Sequence, residues 1–69
     1  MSGWNKRTGK YDLTITKASW WARRGRYSHI DTIEGFAKIL IDAGIVCQIH
    51  PRWIECDASE SRIYDVLRG

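Results

Sequence analysis

From Tyr11 to Thr16 apolar and polar positions alternate without a break. Tyr11, Leu13 and Ile15 fall on one side, with Asp12, Thr14 and Thr16 on the other. Strict period-2 patterning rich in β-branched residues predicts a half-buried strand over YDLTITK. Lys17 breaks the phase, so the strand ends there or re-aims through a bulge near Lys17-Ala18-Ser19. If the strand runs on, neighbouring side chains point to opposite faces, and Trp20 and Trp21 cannot both enter the core. Upstream, residues 1–9 are either a loose arm or an edge strand, with Thr8-Gly9 turning Trp4–Arg7 back onto Lys10–Leu13.

The period then lengthens. Ile33, Phe36, Ala37, Leu40, Ile41 and Gly44 lie at i, i+3, i+4, i+7, i+8 and i+11 of DTIEGFAKILIDAG, one stripe of a helix. Asp31 followed by Glu34 resembles a capping box, and Gly44 suits the left-handed position that ends a helix. Gly35 weakens the helix by roughly 1 kcal/mol relative to Ala, which predicts close packing against a strand. IVCQIH and WIECD flank Pro51-Arg52 and read as a hairpin. Setting Ile49 opposite Ile54 puts Cys47 opposite Cys56 and gathers Ile45, Cys47, Ile49, Ile54 and Cys56 on one face. A one-residue slip would scramble both faces, which supports this register. Pro51 poorly suits a primed two-residue turn, so a four-residue loop is the expectation. In SESRIYDVLRG, Ser59 or Asp57 caps a short helix whose stripe is Ile63, Val66 and Leu67.

The predicted class is α+β: a β-α-β-β-α two-layer sandwich with two helices on one face of an antiparallel or mixed sheet. A right-handed crossover makes the first two strands parallel and leaves the third between them. This is the ferredoxin-like pattern without its last strand, whose edge the early Trp4–Arg7 segment would fill. The strand–helix–Gly–strand layout through Ile49 also resembles the small ligand-sensing domains of the ACT type, in topology and without a specific motif.

Length sharpens the picture. Sixty-nine residues make one domain, 1–69, with a thin stability margin. Two cysteines allow one disulfide at most, so pairing into a homodimer is the expected support. Four tryptophans exceed what so small a core encloses, and at least one indole is expected to stay partly exposed. MSGWNKRTGK lacks the apolar stretch of a secretory signal, and no run approaches the ~20 apolar residues of a membrane span. A cytoplasmic protein with reduced cysteines is expected.

Charge is uneven: residues 1–30 sum to +6 and residues 31–69 to −3, within a net charge of +3. That asymmetry predicts a positive face toward an anionic partner, against the plainer reading of a solubilising gradient. Its densest part is ASWWARRGRYSHI. Arg24-Gly25 is either the tip of a basic hairpin or part of a strand-to-helix loop near a helix N-terminus. With helices on one sheet face, the other would carry Thr14, Thr16, Gln48, His50, Trp53 and one of Trp20 or Trp21. Aromatics for stacking beside arginines for phosphates is the logic of RNA-recognition sheets, although the aromatic RNP octamer is absent. The candidate binding residues are Trp20, Trp21, Arg23, Arg24, Arg26, His50, Arg52 and Trp53.

Other chemistry is weakly signalled. Cys47-x2-His50-x5-Cys56 has the ligand types for zinc, but strand parity sends Cys47 and His50 to opposite faces, so no metal and no cofactor is expected. His29 and His50 lack a motif that would join them as an acid–base pair, and Ser19, Ser28 and Cys47 lack an activating base. The expected function is non-catalytic binding of a nucleic acid or nucleotide-type phosphate ligand. The alternative is a stoichiometric protein-interaction module or inhibitor, as many small phage-encoded proteins are.

Overall fold

A computed structural model describes residues 3–69. Along the chain run β1 (Gly3–Asn5), β2 (Lys10–Thr14), α1 (Ile15–Ala22), α2 (Ile33–Asp42), β3 (Cys47–Ile49), β4 (Trp53–Cys56) and α3 (Glu60–Arg68). The four strands form one sheet in the order β1-β2-β4-β3, antiparallel at every pairing. The fold is α+β. Its last strand, β4, sits between β2 and β3, and β1 lies at the edge beside β2.

The hairpin register is the one the hydrophobic pattern demands: Cys47 faces Cys56, Gln48 faces Glu55 and Ile49 faces Ile54. Ile49–Ile54 is the last pair of the ladder, so residues 50–53 make the expected four-residue connection around Pro51-Arg52, and the His50 N–H donates across it to the Trp53 carbonyl at 2.9 Å. Tyr11, Leu13, Ile54 and Cys56 point from the sheet into a core closed by Ala18, Trp21 and Ala22 of α1, Phe36, Ala37 and Leu40 of α2, and Ile63 and Leu67 of α3. Ile41 and Ile49, expected inside, are about half exposed, because each stands where α2 or β3 runs out past the core.

The main departure from the sequence pattern lies at Ile15. The strand stops at Thr14, and Ile15–Ala22 is a helix, giving three helices where two were expected. Thr14 is extended (φ −81°, ψ 157°) and its Oγ1 accepts the Lys17 N–H at 3.3 Å, an N-cap that satisfies one orphan donor of the first turn. The alternation through Thr16 is a coincidence of two periods. Ile15, Ala18 and Ala22 also lie at i, i+3 and i+7, and burial of Ala18, Trp21 and Ala22 against the sheet overrides the β-branched preference of Ile15 and Thr16.

Two smaller corrections concern α2. Thr32, not Asp31, is its N-cap, with Oγ1 accepting the Gly35 N–H at 3.1 Å. Gly35 is tight against Ile30 and Thr32 of the incoming loop rather than against a strand: a Cβ there would stand 2.7 Å from Ile30 Cγ2. Gly44 ends the helix as expected, at φ +87°. Ser59 caps α3, accepting the Arg62 N–H at 3.3 Å. The Tyr11 hydroxyl donates to Glu60 Oε2 at 3.0 Å, tying the first turn of α3 to the centre of the sheet. Burial first, then that hydrogen bond, raise the Tyr11 phenol well above its ordinary value of 10.

Candidate anion-binding site

Because α1 is a helix, successive residues turn by about 100° instead of alternating between two faces. The two adjacent indoles therefore separate for a helical reason, not the strand reason. Trp21 is 9% exposed and packs edge-on to Tyr64, with ring centroids 5.5 Å apart, and at 6.1 Å from Tyr11. Trp20 is 64% exposed. Lys17, one turn back, holds its Nζ 5.9 Å from the Trp20 ring and 5.8 Å from the Trp21 ring. Trp21 is core; Trp20 is surface.

Residues 23–32 form the connection from α1 to α2, so Arg24-Gly25 is neither a hairpin tip nor a strand-to-helix loop. Short turns hold it: the Gly25 N–H donates to the Ala22 carbonyl at 3.0 Å, and the Ile30 N–H to the Tyr27 carbonyl at 3.0 Å. Gly25 lies directly on the backbone of Arg68, where a Cβ would collide with the Arg68 carbonyl oxygen. That close approach brings the arginine loop onto the end of α3, and only a glycine permits it.

The result is a hollow of about 530 Å³ lined by Trp20, Trp21, Arg23, Arg24, Gly25, Tyr64 and Arg68. Its lining carries three arginines and three aromatic rings, with no Asp or Glu. Arg68 lies over Tyr64, 5.9 Å from the ring centroid. Among the described residues no ion pair engages Arg23, Arg24 or Arg68. Two shallower hollows adjoin it through Trp20, one lined by Thr14, Thr16 and Lys17, the other by Ile15, Thr16, Ser19, Arg23 and Ser28. Trp20 thus stands at the junction of a cationic surface. Such a surface suits a flat ring on the indole face and anionic oxygens on the guanidinium groups.

Of the expected site residues, the fold unites Trp20, Trp21, Arg23 and Arg24. Arg26 is exposed on the same loop but turns its backbone toward Gly69 and is not part of the hollow. His50, Arg52 and Trp53 belong to a separate place, the helix-free face of the sheet and the hairpin tip. There His50 stacks on Trp53 at 4.3 Å with the rings 10° from parallel. Thr16 and both Trp20 and Trp21 are absent from that face because they ride on α1. Instead its centre holds Asp12 and Glu55, paired across β2 and β4. Asn5 Nδ2 donates to Asp12 Oδ2 at 3.2 Å, while Lys10 Nζ and His50 Nε2 approach Glu55 at 3.8 and 3.5 Å. The expected stacking face, with Thr16 and one of Trp20 or Trp21 beside Trp53, is therefore not assembled, and two carboxylates stand at its middle.

Tyr64, Arg68 and Lys17 were missed from sequence. Tyr64 and Arg68 are i, i+4 on α3, about 100° round the helix from Ile63 and Leu67, which was a legible signal of a paired aromatic and cation. That they meet the arginine loop depends on the tertiary approach at Gly25, which no local pattern announces. No helix among the described residues is long and apolar enough to cross a membrane. No protein family, curated protein or solved structure matches the chain.

Proposed function

We propose that the chain is a non-catalytic binding protein whose hollow between α1, the arginine loop and α3 takes an anionic partner with flat rings. The partner is a single-stranded nucleic acid or a nucleotide-type phosphate ligand. The observation that carries this reading is the acid-free lining, in which three arginines and the exposed Trp20 surround one hollow. Base stacking on an aromatic contributes roughly 1–3 kcal/mol, and the arginines supply the phosphate contacts. Cytoplasmic placement, where nucleic acid and nucleotides abound, accords with it. The test is titration of a fluorescently labelled oligothymidylate and of a nucleoside triphosphate into the protein across a salt series. Binding that weakens steeply with salt supports the reading, and no binding of either probe refutes it.

A second reading has its own observation, on the helix-free sheet face. Asp12 Oδ1 and Trp53 Nε1 are buried there without a hydrogen-bond partner among the described residues. Buried polar atoms left unsatisfied cost about 1–3 kcal/mol each, so a covering protein surface, or a second copy of the chain, would find donors and acceptors waiting. Its signature differs: a stoichiometric protein complex or a homodimer in sedimentation, with weak salt dependence.

A further inference from the structure

We propose that Cys47 and Cys56 form a thiol pair built for reversible oxidation to a cross-strand disulfide by a low-molecular-weight disulfide such as oxidised glutathione. Both residues are free thiols, and they face each other directly across β3 and β4.

The kind of pair decides whether a bond fits. The His50 N–H donates to the Trp53 carbonyl, and the Asp57 N–H donates to the Val46 carbonyl, each at 2.9 Å. The pairs 50/53 and 46/57 are therefore hydrogen-bonded pairs, and by the period of two so is 48/55. Cys47 and Cys56 occupy a site between them, where opposed Cα atoms lie about 4.5 Å apart and side chains approach most closely. Disulfides span Cα separations of roughly 4.4–6.8 Å, so a pair of this kind lies within bonding range once the side chains turn toward each other.

The two sulfurs are not equivalent. Cys56 is fully enclosed in the core, whereas Cys47 lies at the outer strand and is only partly buried. The Cys47 Sγ–H donates to the Ile45 carbonyl at 3.5 Å and the Cys56 Sγ–H to the Ile54 carbonyl at 3.7 Å. The neighbouring Cys56 thiol lowers the Cys47 thiol below its ordinary value, whereas Cys47 and burial push the Cys56 thiol up. Cys47 is thus the attacking group and Cys56 the resolving one. The Cys47 thiolate attacks one sulfur of the external disulfide, forming a mixed disulfide and expelling one thiolate. Cys56 then gives up its proton to the medium and attacks the Cys47 sulfur, releasing the second thiolate. Two electrons pass from the protein dithiol to the external disulfide, which leaves as two thiols once protonated.

Arg52 lies between the two cysteines, so trypsin separates them into peptides 39–52 and 53–62. After native protein is incubated with oxidised glutathione near neutral pH, non-reducing digestion should recover these peptides joined, from a species that remains a single chain. Limiting iodoacetamide on untreated protein should label Cys47 at least ~10-fold faster than Cys56, following its exposure and thiolate fraction. C56S should accumulate a stable glutathione adduct on Cys47. Should that variant fail to fold, the digestion and labelling of the native protein decide the matter alone. Two unlinked thiols after oxidation, disulfides only between chains, or equal labelling of both cysteines would overturn the proposal.

Discussion

The hollow beside Trp20 and the helix-free face of the sheet each set a tryptophan among cations, yet the hollow's lining holds no carboxylate and the sheet face holds two. On the sheet face the carboxylates have polar neighbours: Glu55 meets Lys10 and His50, Asp12 Oδ2 accepts from Asn5, and the Trp53 ring is covered by His50. At the hollow, Arg23, Arg24 and Arg68 meet no carboxylate, and Trp20 is uncovered. Exposed aromatics and cations are therefore not sufficient to mark a site. What distinguishes one is the absence of internal compensation, because a charge already paired has less to gain from a ligand.

The sharpest way to break the comparison is to strip the charge from each region in turn. Replacing Arg23, Arg24 and Arg68 together by Ala should weaken oligonucleotide binding on the order of 10³-fold, since hydrogen bonds to charged groups contribute about 1.5–3 kcal/mol each. Lys10→Ala with Arg52→Ala, on the sheet side, should leave affinity within about twofold. Equal losses from both sets, read by fluorescence anisotropy, would erase the distinction.

The two adjacent indoles sharpen it next. Trp21→Ala removes a buried ring between Tyr11 and Tyr64 and should cost about 3–5 kcal/mol of stability in urea denaturation. Trp20→Ala should change stability by less than about 0.5 kcal/mol while weakening binding by about 1–3 kcal/mol. Swapped outcomes would mean that the burial of this pair has been assigned backwards.

Gly25→Ala tests how the hollow is assembled. Its Cβ must push the arginine loop off the Arg68 backbone. A stability loss of about 1–3 kcal/mol is expected, accompanied by weaker binding although no contact residue has changed. Unchanged binding would show that the approach of the Gly25 backbone to Arg68 is irrelevant to the site.

The smallest effect concerns pH. The Tyr11 phenol titrates higher folded than unfolded, so its contribution is fully present below its ordinary value of 10 and is lost as pH rises above it toward the folded value. Stability measured by denaturation should fall as pH rises beyond about 10, and Tyr11→Phe should flatten that fall.

Much of this architecture is written in local patterns. The hairpin register followed from parity, since only one alignment puts Cys47, Ile49, Ile54 and Cys56 together. The α2 stripe followed from its period. Residues 15–22 did not yield, because Ile15 and Thr16 fit both an alternating strand and a capped helix. The deciding interaction, Thr14 accepting from Lys17, is one hydrogen bond long. The site was half legible for a related reason. Trp20, Trp21, Arg23 and Arg24 are contiguous, whereas Tyr64 and Arg68 arrive from α3 through a glycine contact 43 residues from Gly25 in sequence. His50, Arg52 and Trp53 seemed to join them only while Trp20 or Trp21 was assigned to the sheet.

The central claim is that uncompensated arginines around Trp20 bind phosphates, and the salt dependence of oligothymidylate binding tests it most directly. Three phosphate contacts on a single strand predict a slope of about −2 in log affinity against log salt concentration. Wild-type protein should give that slope, and the Arg23, Arg24 and Arg68 triple Ala variant should lose nearly all of it. A wild-type affinity that ignores salt, or a triple variant with the slope intact, would contradict the account.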